Sequence, residues 1–354
     1  MRVLHVIRGF DVGGAELLAL ALSGWSHSQG MTLAVSTVPG NLSTRVPRGV
    51  EVLYRSRSSF PALVSEVARQ AQAWRANILH AHQRREALAC VIAARRLGIT
   101  AVEHAHTELP TRRGRLFSYR SDCIFVVSDA VRKMVVDDFG ARRDRVVTVA
   151  NVPASVAPDQ QVSWSSPQGR QLRLLGIGRV DTQKNPQRFI HIVREVAKLR
   201  SVRARWIGGG PHLAEMQAMA GSGGLVDFVG EADSVFWAFD QADALLMTSA
   251  WEGLPLVALE ALAVGLPVFA TAVGGIRELL DEFGCGVLLP EDAPDSTVAR
   301  MIVNALDDSN ATMERIARGR EAIDQRYRPD IAFRPVAENY ELLTRAREAR
   351  RRTS

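Results

Sequence analysis

Short runs of β-branched and aliphatic residues punctuate this chain, and most are followed by a stretch of helical character. That alternation leaves few choices. Strands separated by helices must lie parallel, since a hairpin cannot join them, so the chain is built of strand–helix–strand units in parallel sheets. A first series contains VLHVI, MTLAVSTV, NILHAH, ITAVEHAH, DCIFVVS and RVVTVAN. From residue 153 to 170 the text changes to PASVAPDQQVSWSSPQGR, rich in Pro, Ser and Gln, which reads as a linker. A second series follows: LRLLGIG, ARWIGGG, VDFVG, ADALLMTS, PVFAT and GVLLP. The expected architecture is α/β, with two doubly wound domains facing each other across a cleft. Residues 1–160 form the first and 161–325 the second; the helical stretch 326–354 packs back on the first. With 354 residues, 47% of them hydrophobic, the chain can fill two ordinary cores.

Three cysteines, Cys90, Cys123 and Cys285, stand far apart without C-x-x-C spacing. Neither a disulfide framework nor a zinc knuckle is indicated, and the expectation is a cytoplasmic protein with reduced thiols. Met1-Arg-Val-Leu opens directly into a strand pattern, so no secretory leader is expected, and no apolar run approaches the ~20 residues of a transmembrane helix. The net charge of +6 is uneven. Residues 1–160 hold 21 Lys and Arg against 13 Asp and Glu, whereas the remainder holds 23 against 25. Arg112, Arg113, Arg115 and Arg120 cluster, as do Arg142, Arg143 and Arg145. Such a face suits either plain solvent or peripheral contact with the anionic inner face of a membrane. The aromatic residues near these arginines form no repeated stacking pattern, so nucleic acid is the weakest reading of this face and no nucleic-acid partner is expected. The terminal REARRRTS reads as a frayed helix end.

Ligands of parallel sheets bind beyond the carboxyl ends of the strands, so the loops there carry the chemistry. After the first strand, RGFDVGGAE puts Gly13 and Gly14 before a helix, where amides can face an anion. A tight turn explains the same glycines. LLGIGRVDTQKNP places Arg179 and Lys184 in a loop, with Pro186 opening the next helix. A guanidinium binds a diphosphate through two oxygens, and an ammonium adds a point charge. WIGGGP repeats the strand–glycine–helix pattern; its glycines suit either close approach of a nucleotide or a simple turn. In TSAWEGLPLVALEALAVG, Glu252 stands in an approach loop, Pro255 in the first helical turn and Gly265 at the helix end. The amides of Leu254, Leu256 and Val257 then face the same space as Glu252. Glu260 lies inside the apolar helix, where an ionised carboxylate needs a partner. Helical spacing throughout would set the two glutamates ~12 Å apart along the axis. That is too far for the acid/base pair of a glycosidase.

These motifs together resemble the signature of retaining nucleotide-sugar glycosyltransferases of family 4 (group 1), which have the GT-B fold of two Rossmann-like domains. The resemblance covers nearly the whole chain: GGAE, HAHT at 104–107, VSDAVRKM, GRVDTQKNP, GGGP, FVGEADSV, ADALLMTSAWEGLPLVALEALAVGLPV and VGGIREL. It implies that Arg179 and Lys184 hold the donor diphosphate, that Glu252 contacts the transferred sugar, and that Glu260 contacts the ribose. Backbone groups from Gly253 to Val257, including Leu254 and Leu256, would hold sugar hydroxyls and phosphate, with Gly14 near the donor phosphates. His106 matches the family's histidine beside the transferred sugar, while His82 and His104 read as structural. Three positions depart from the pattern. Asn151 is followed by Val-Pro-Ala rather than Gly-Val/Ile-Asp, WIGGGP has glycine where many members carry aspartate, and Pro255 has no N–H to donate.

The implied reaction is transfer of a hexose-type sugar from a nucleoside-diphosphate sugar to an acceptor hydroxyl, with retention. Arg179, Lys184 and the helix end would stabilise the leaving diphosphate. No D-x-D motif is present to hold a divalent ion, so metal independence and no cofactor are expected. The acceptor class is a cell-envelope or exopolysaccharide glycan, free or lipid-linked. A catalytically silent sugar-nucleotide-binding subunit is the alternative. A dinucleotide oxidoreductase would need G-x-G-x-x-G after a first strand, and neither series has it.

Overall fold

The computed structural model describes the chain except for Val12, Ser155, Pro158, Ser222, Asp233, Thr353, Ser354 and the side chains of residues 350–352. Parts of RGFDVGGAE, PASVAPDQQ, FVGEADSV and the terminal REARRRTS therefore lie outside the described residues. The chain divides into two compact units, Met1–Asn151 with Pro329–Ser354, and Val152–Arg328. The division falls at Asn151 rather than after residue 160. The linker sequence is fastened to the second unit: the Val162 amide donates to the Val264 carbonyl at 2.7 Å and the Trp164 indole donates to the Asp243 carbonyl at 2.9 Å.

The first unit contains β1 (Arg2–Val6), β2 (Thr32–Thr37), β3 (Glu51–Tyr54), β4 (Ile78–Ala81), β5 (Thr100–Ala105), β6 (Cys123–Val126) and β7 (Val146–Thr148). They form one sheet in the order β3-β2-β1-β4-β5-β6-β7, and every pairing is parallel. Sequence patterning misses β3. It is a short edge strand whose four residues are all at least partly exposed, so EVLY lacks the continuous apolar run of an interior strand. Leu4, Val6, Leu79 and Ala81 pack under helices Phe60–Ala73 and Arg84–Leu97. The C-terminal helix Arg334–Arg352 belongs to this unit, where buried Tyr340 reaches His80 and Arg347 Nε donates to the Gly98 carbonyl at 2.7 Å.

The second unit contains β8 (Leu172–Ile177), β9 (Val202–Ile207), β10 (Val226–Gly230), β11 (Ala244–Met247), β12 (Val268–Thr271) and β13 (Val287–Leu289). Their order is β10-β9-β8-β11-β12-β13, again all parallel. Phe189, Trp206, Phe228 and Phe269 anchor its core. In each sheet the order reverses once, between β1 and β4 and between β8 and β11. Adjacent strands there send their connections to opposite faces, which opens a crevice at their carboxyl ends.

Candidate functional sites at the two reversal points

In the second unit the crevice lies beyond β8 and β11, and the loops leaving those strands are sewn together. Thr248 Oγ1 donates to the Asn185 carbonyl at 2.9 Å, the Ala250 amide to the Gln183 carbonyl at 2.8 Å, and Gln183 Nε2 to the Trp251 carbonyl at 3.2 Å. Two of the expected residues meet at this seam. Lys184 Nζ donates to Glu252 Oε1 at 2.5 Å, and Ser249 Oγ donates to the same oxygen at 2.7 Å. Glu252 is buried, and the Lys184 side chain is four-fifths buried. Arg179 is bound at the loop's outer side, its Nε 2.5 Å from Asp181 Oδ2, and its side chain is two-thirds exposed. The other Asp181 oxygen accepts from the Lys184 amide at 3.1 Å, so one aspartate orients both cations. Asn185 then takes a left-handed conformation (φ 48°), and its side chain caps helix Pro186–Ala197.

Helix Leu256–Val264 begins after Pro255 and ends at Gly265. Its first internal bond is donated by Ala258 to the Pro255 carbonyl, so the amides of Leu256 and Val257 precede the hydrogen-bonded ladder. Leu254 already has an interaction partner within the protein. The Gly253 carbonyl accepts from the Gly275 amide at 2.7 Å, which fixes the entry loop against the next strand's exit. Residues 252–255 are not helical, so the ~12 Å helical separation of the glutamates does not apply. Glu260 is buried and has a partner, as a carboxylate in an apolar helix requires.

At Gly208 and Gly210 of WIGGGP the position a side chain would take is filled by protein backbone. A Cβ on Gly208 (φ 138°) would lie 2.1 Å from the Gly178 carbonyl oxygen, and one on Gly210 (φ 152°) 2.5 Å from the Val180 carbonyl oxygen. Two backbones pass there at van der Waals distance, and the Val180 amide bonds the Gly209 carbonyl at 2.7 Å. A pocket of about 300 Å³ opens beside this seam, sharing Thr248 and Ser249 with it. Its wall carries both signs of charge, Arg188 opposite in sign to Glu291 and Asp292.

The first unit's reversal point is differently furnished. Gly13 caps helix Gly14–Ser28 in extended conformation, and Gly14 is the first helical residue. Glu16 already sits at this helix end, where its Oε1 accepts from Gln83 Nε2 at 2.7 Å. The glycine pair is therefore a poorer anion seat than its sequence suggests. Next to it stand five histidines. His5 pairs in register with His80, and the two H-A-H runs put His80, His82, His104 and His106 on one face, because side chains two apart on a strand share a side. Neighbouring ring centroids lie 4.4 to 5.8 Å apart, and all of these pairs are stacked except His5–His80, which is tilted by 35°. Burial lowers His5 and His106 to about 3, and it holds His80, His82 and His104 well below the ordinary imidazole value. All five are neutral at pH 7. Only His106 is partly exposed.

Sequence reasoning missed Ser249, Asp181 and His5. Ser249 was legible as S-x-x-E before a helix, the spacing at which a hydroxyl meets a glutamate. His5 carries no local signal, since only the cross-strand register sets it beside His80.

Two family profiles divide the chain between them. Residues 12–152 match Glycosyltransferase Family 4, and residues 171–308 match Glycosyl transferases group 1. The chain belongs to this glycosyltransferase family, and its two Rossmann-like sheets are those of the GT-B fold. HepE of Anabaena in complex with UDP and glucose superposes with a TM-score of 0.79 at 18% identity, over 96% of this chain and 99% of that one. WaaG, a glycosyltransferase involved in lipopolysaccharide biosynthesis, superposes at 0.74 with 17% identity, over 96% and 98%. Among curated relatives, the O-antigen biosynthesis glycosyltransferase WbnH of Escherichia coli is 26% identical over 182 residues, 51% of this chain and 50% of WbnH. The match thus spans about half the length of that relative. The 2-deoxystreptamine glucosyltransferase of Streptomyces kanamyceticus is 25% identical over 79% of this chain and 84% of its own length.

Proposed function

We propose that this protein transfers a hexose-type sugar from a nucleoside-diphosphate sugar to an acceptor hydroxyl of a cell-envelope or exopolysaccharide glycan, free or lipid-linked, with retention and without a metal. The observation that carries the reading is the Lys184–Glu252–Ser249 cluster at the second reversal point, beside the amides of Leu256 and Val257. An ammonium has three protons to donate, so Lys184 can keep Glu252 and still bind a phosphate oxygen. As the anomeric bond breaks, charge grows on the departing diphosphate, where Lys184, Arg179 and the helix end oppose it. Glu252, held by Ser249 and Lys184, is an oriented carboxylate suited to sugar hydroxyls or an oxocarbenium-like ring. The departing phosphate oxygen takes the acceptor's proton, and His106 is assigned to positioning the sugar, as the family resemblance implies. Family membership and the O-antigen enzyme among the relatives support the glycan class. The test is a thermal-shift panel of UDP, GDP, ADP and their sugars. One nucleotide should stabilise the wild type, and Lys184→Ala should weaken it ~100-fold. Undiminished binding by Lys184→Ala removes the diphosphate assignment.

A second feature supports contact with an anionic membrane. Among the described residues no helix is long and apolar enough to span a bilayer. Leu116 and Phe117 are nevertheless 76% and 63% exposed, between Arg112, Arg113, Arg115 and Arg120. The loop is anchored from below: buried Tyr119 packs edge-on against Phe139 at 5.0 Å, and Arg84 Nε donates to Ser118 Oγ at 3.0 Å. Among the described residues, Arg113, Arg115 and Arg120 have no carboxylate partner. Two apolar side chains ringed by uncompensated cations suit an acidic interface. The wild type should float with vesicles containing phosphatidylglycerol and stay behind with phosphatidylcholine alone, and Leu116→Ser with Phe117→Ser should abolish flotation. Equal partition of wild type and variant would refute the contact.

A further inference from the structure

Three of the five histidines form a hydrogen-bonded chain. His5 Nδ1 lies 2.9 Å from His82 Nε2, and His82 Nδ1 lies 3.1 Å from His106 Nε2. A neutral imidazole carries one proton, so each of its nitrogens is either a donor or an acceptor. Two nitrogens 3 Å apart need one proton between them, since two bare lone pairs or two N–H groups would repel. If His5 holds its proton on Nδ1, His82 must accept at Nε2 and donate from Nδ1. His106 must then accept at Nε2 and carry its own proton on Nδ1. The tautomer of a wholly buried ring thereby dictates that of a partly exposed one.

The chain ends blindly. His5 Nε2 is buried without a hydrogen-bond partner among the described residues, so no group stands there to deliver or remove a proton. A relay that moved a proton along the chain would need an exit at both ends, which makes this a lock rather than a wire. Its direction follows from the same dead end, because an unpaired buried N–H is rarer in folded proteins than an unsatisfied acceptor. A metal ion fits less well. Two trios, His5–His80–His82 and His82–His104–His106, each bring three ring nitrogens within 4.8 Å of one another, but both draw on His82, whose two nitrogens are already engaged with His5 and His106.

We propose that His5 and His82 are positioning residues that fix His106 as its Nδ1–H tautomer, so that this partly exposed ring presents a hydrogen-bond donor at Nδ1. The lock itself is independent of the glycosyl-transfer reading; the use of that donor on a sugar hydroxyl rests on it. Nitrogen-15 NMR of histidine-labelled full-length protein at pH 7 tests the lock directly, with His5→Gln, His82→Gln and His106→Gln assigning the signals. The expected spectrum has His5, His82 and His106 all neutral and all protonated at Nδ1. Unlike tautomers, a protonated ring, or loss of the pattern to bound zinc in the protein as purified would overturn it, and uniform protonation at Nε2 would overturn the donor assignment. His82→Phe keeps a stacked ring but no nitrogen, so His106 should become a mixture of tautomers, with kcat down ~10-fold and donor KM little changed. The amide of His82→Gln should restore part of both; should His82→Phe fail to fold, His5→Phe makes the same comparison. Matched tautomers in a protein that transfers no sugar would sink the transfer reading and leave the lock standing.

Discussion

The two units solve one topological problem with opposite chemistry. Each sheet reverses its strand order once, and each gathers polar side chains at the resulting crevice. In the second unit these are ions: Lys184 and Glu252 in contact, with Arg179 and Asp181 at the outer side. In the first unit they are neutral rings, five stacked imidazoles with one partly exposed. A charged crevice suits a ligand that itself carries charge, which a nucleoside diphosphate does. A neutral one suits hydroxyls, to which it offers hydrogen bonds without the desolvation cost of an ion. The topology fixes where a ligand can lie, and the side chains decide what kind.

The largest expected effect breaks the ionic crevice. Glu252→Ala should lower turnover at least ~1,000-fold, about 4 kcal/mol. Affinity for the nucleoside diphosphate should hold or rise, because Lys184 loses the carboxylate that now competes for its protons. Turnover by gas or liquid chromatography of the transferred sugar and binding by calorimetry separate the two. A parallel fall in both would mean that Glu252 supports the loop rather than the sugar.

Much of this was legible in advance, and the gaps share one cause. Strand positions followed from apolar runs, so only the half-exposed edge strand Glu51–Tyr54 escaped notice. Arg179, Lys184 and Glu252 stand out in the sequence because each lies beside a strand end or helix start that the pattern marks, and Glu260 because it is a carboxylate inside an apolar helix. What the sequence could not convey was pairing. Lys184 and Glu252 stand 68 positions apart, and His5 and His82 stand 77 apart. Such contacts depend on register between strands, which no local pattern encodes. The WIGGGP glycines stay ambiguous in the sequence for a related reason: a missing Cβ makes room equally for a ligand or for another backbone, and at Gly208 the Gly178 carbonyl occupies that room.

A smaller effect sharpens the neutral side of the contrast. Both His104 ring nitrogens are buried without hydrogen-bond partners among the described residues, so this imidazole contributes packing and little else. With its pKa pushed well below the ordinary value, the unfolded chain takes up a proton near pH 6.5 that the folded chain refuses. Stability is therefore complete above about pH 6.5 and is lost as pH falls, by up to ~1.4 kcal/mol per pH unit for each such ring. His104→Phe should be neutral or stabilising by ~1 kcal/mol at pH 7 and more so at pH 5, with a flatter dependence between them. Urea midpoints at the two pH values check this. A variant destabilised at both would mean that His104 is held by a polar interaction after all.

The smallest effect lies at the edge of the charged crevice. Arg179 is two-thirds exposed and already paired with Asp181, so solvent and a competing carboxylate both weaken its hold on a phosphate. Arg179→Ala should loosen nucleoside-diphosphate binding only ~10-fold, and added salt should shrink the difference because an exposed charge is screened. Lys184, four-fifths buried and in contact with Glu252, should show a larger loss that salt barely alters. Calorimetric titrations of both variants at low and high salt put the two cations side by side. If Arg179 proved the larger and the less salt-sensitive, the diphosphate would have to lie along the outer loop, and Lys184 would serve only to hold Glu252 in place.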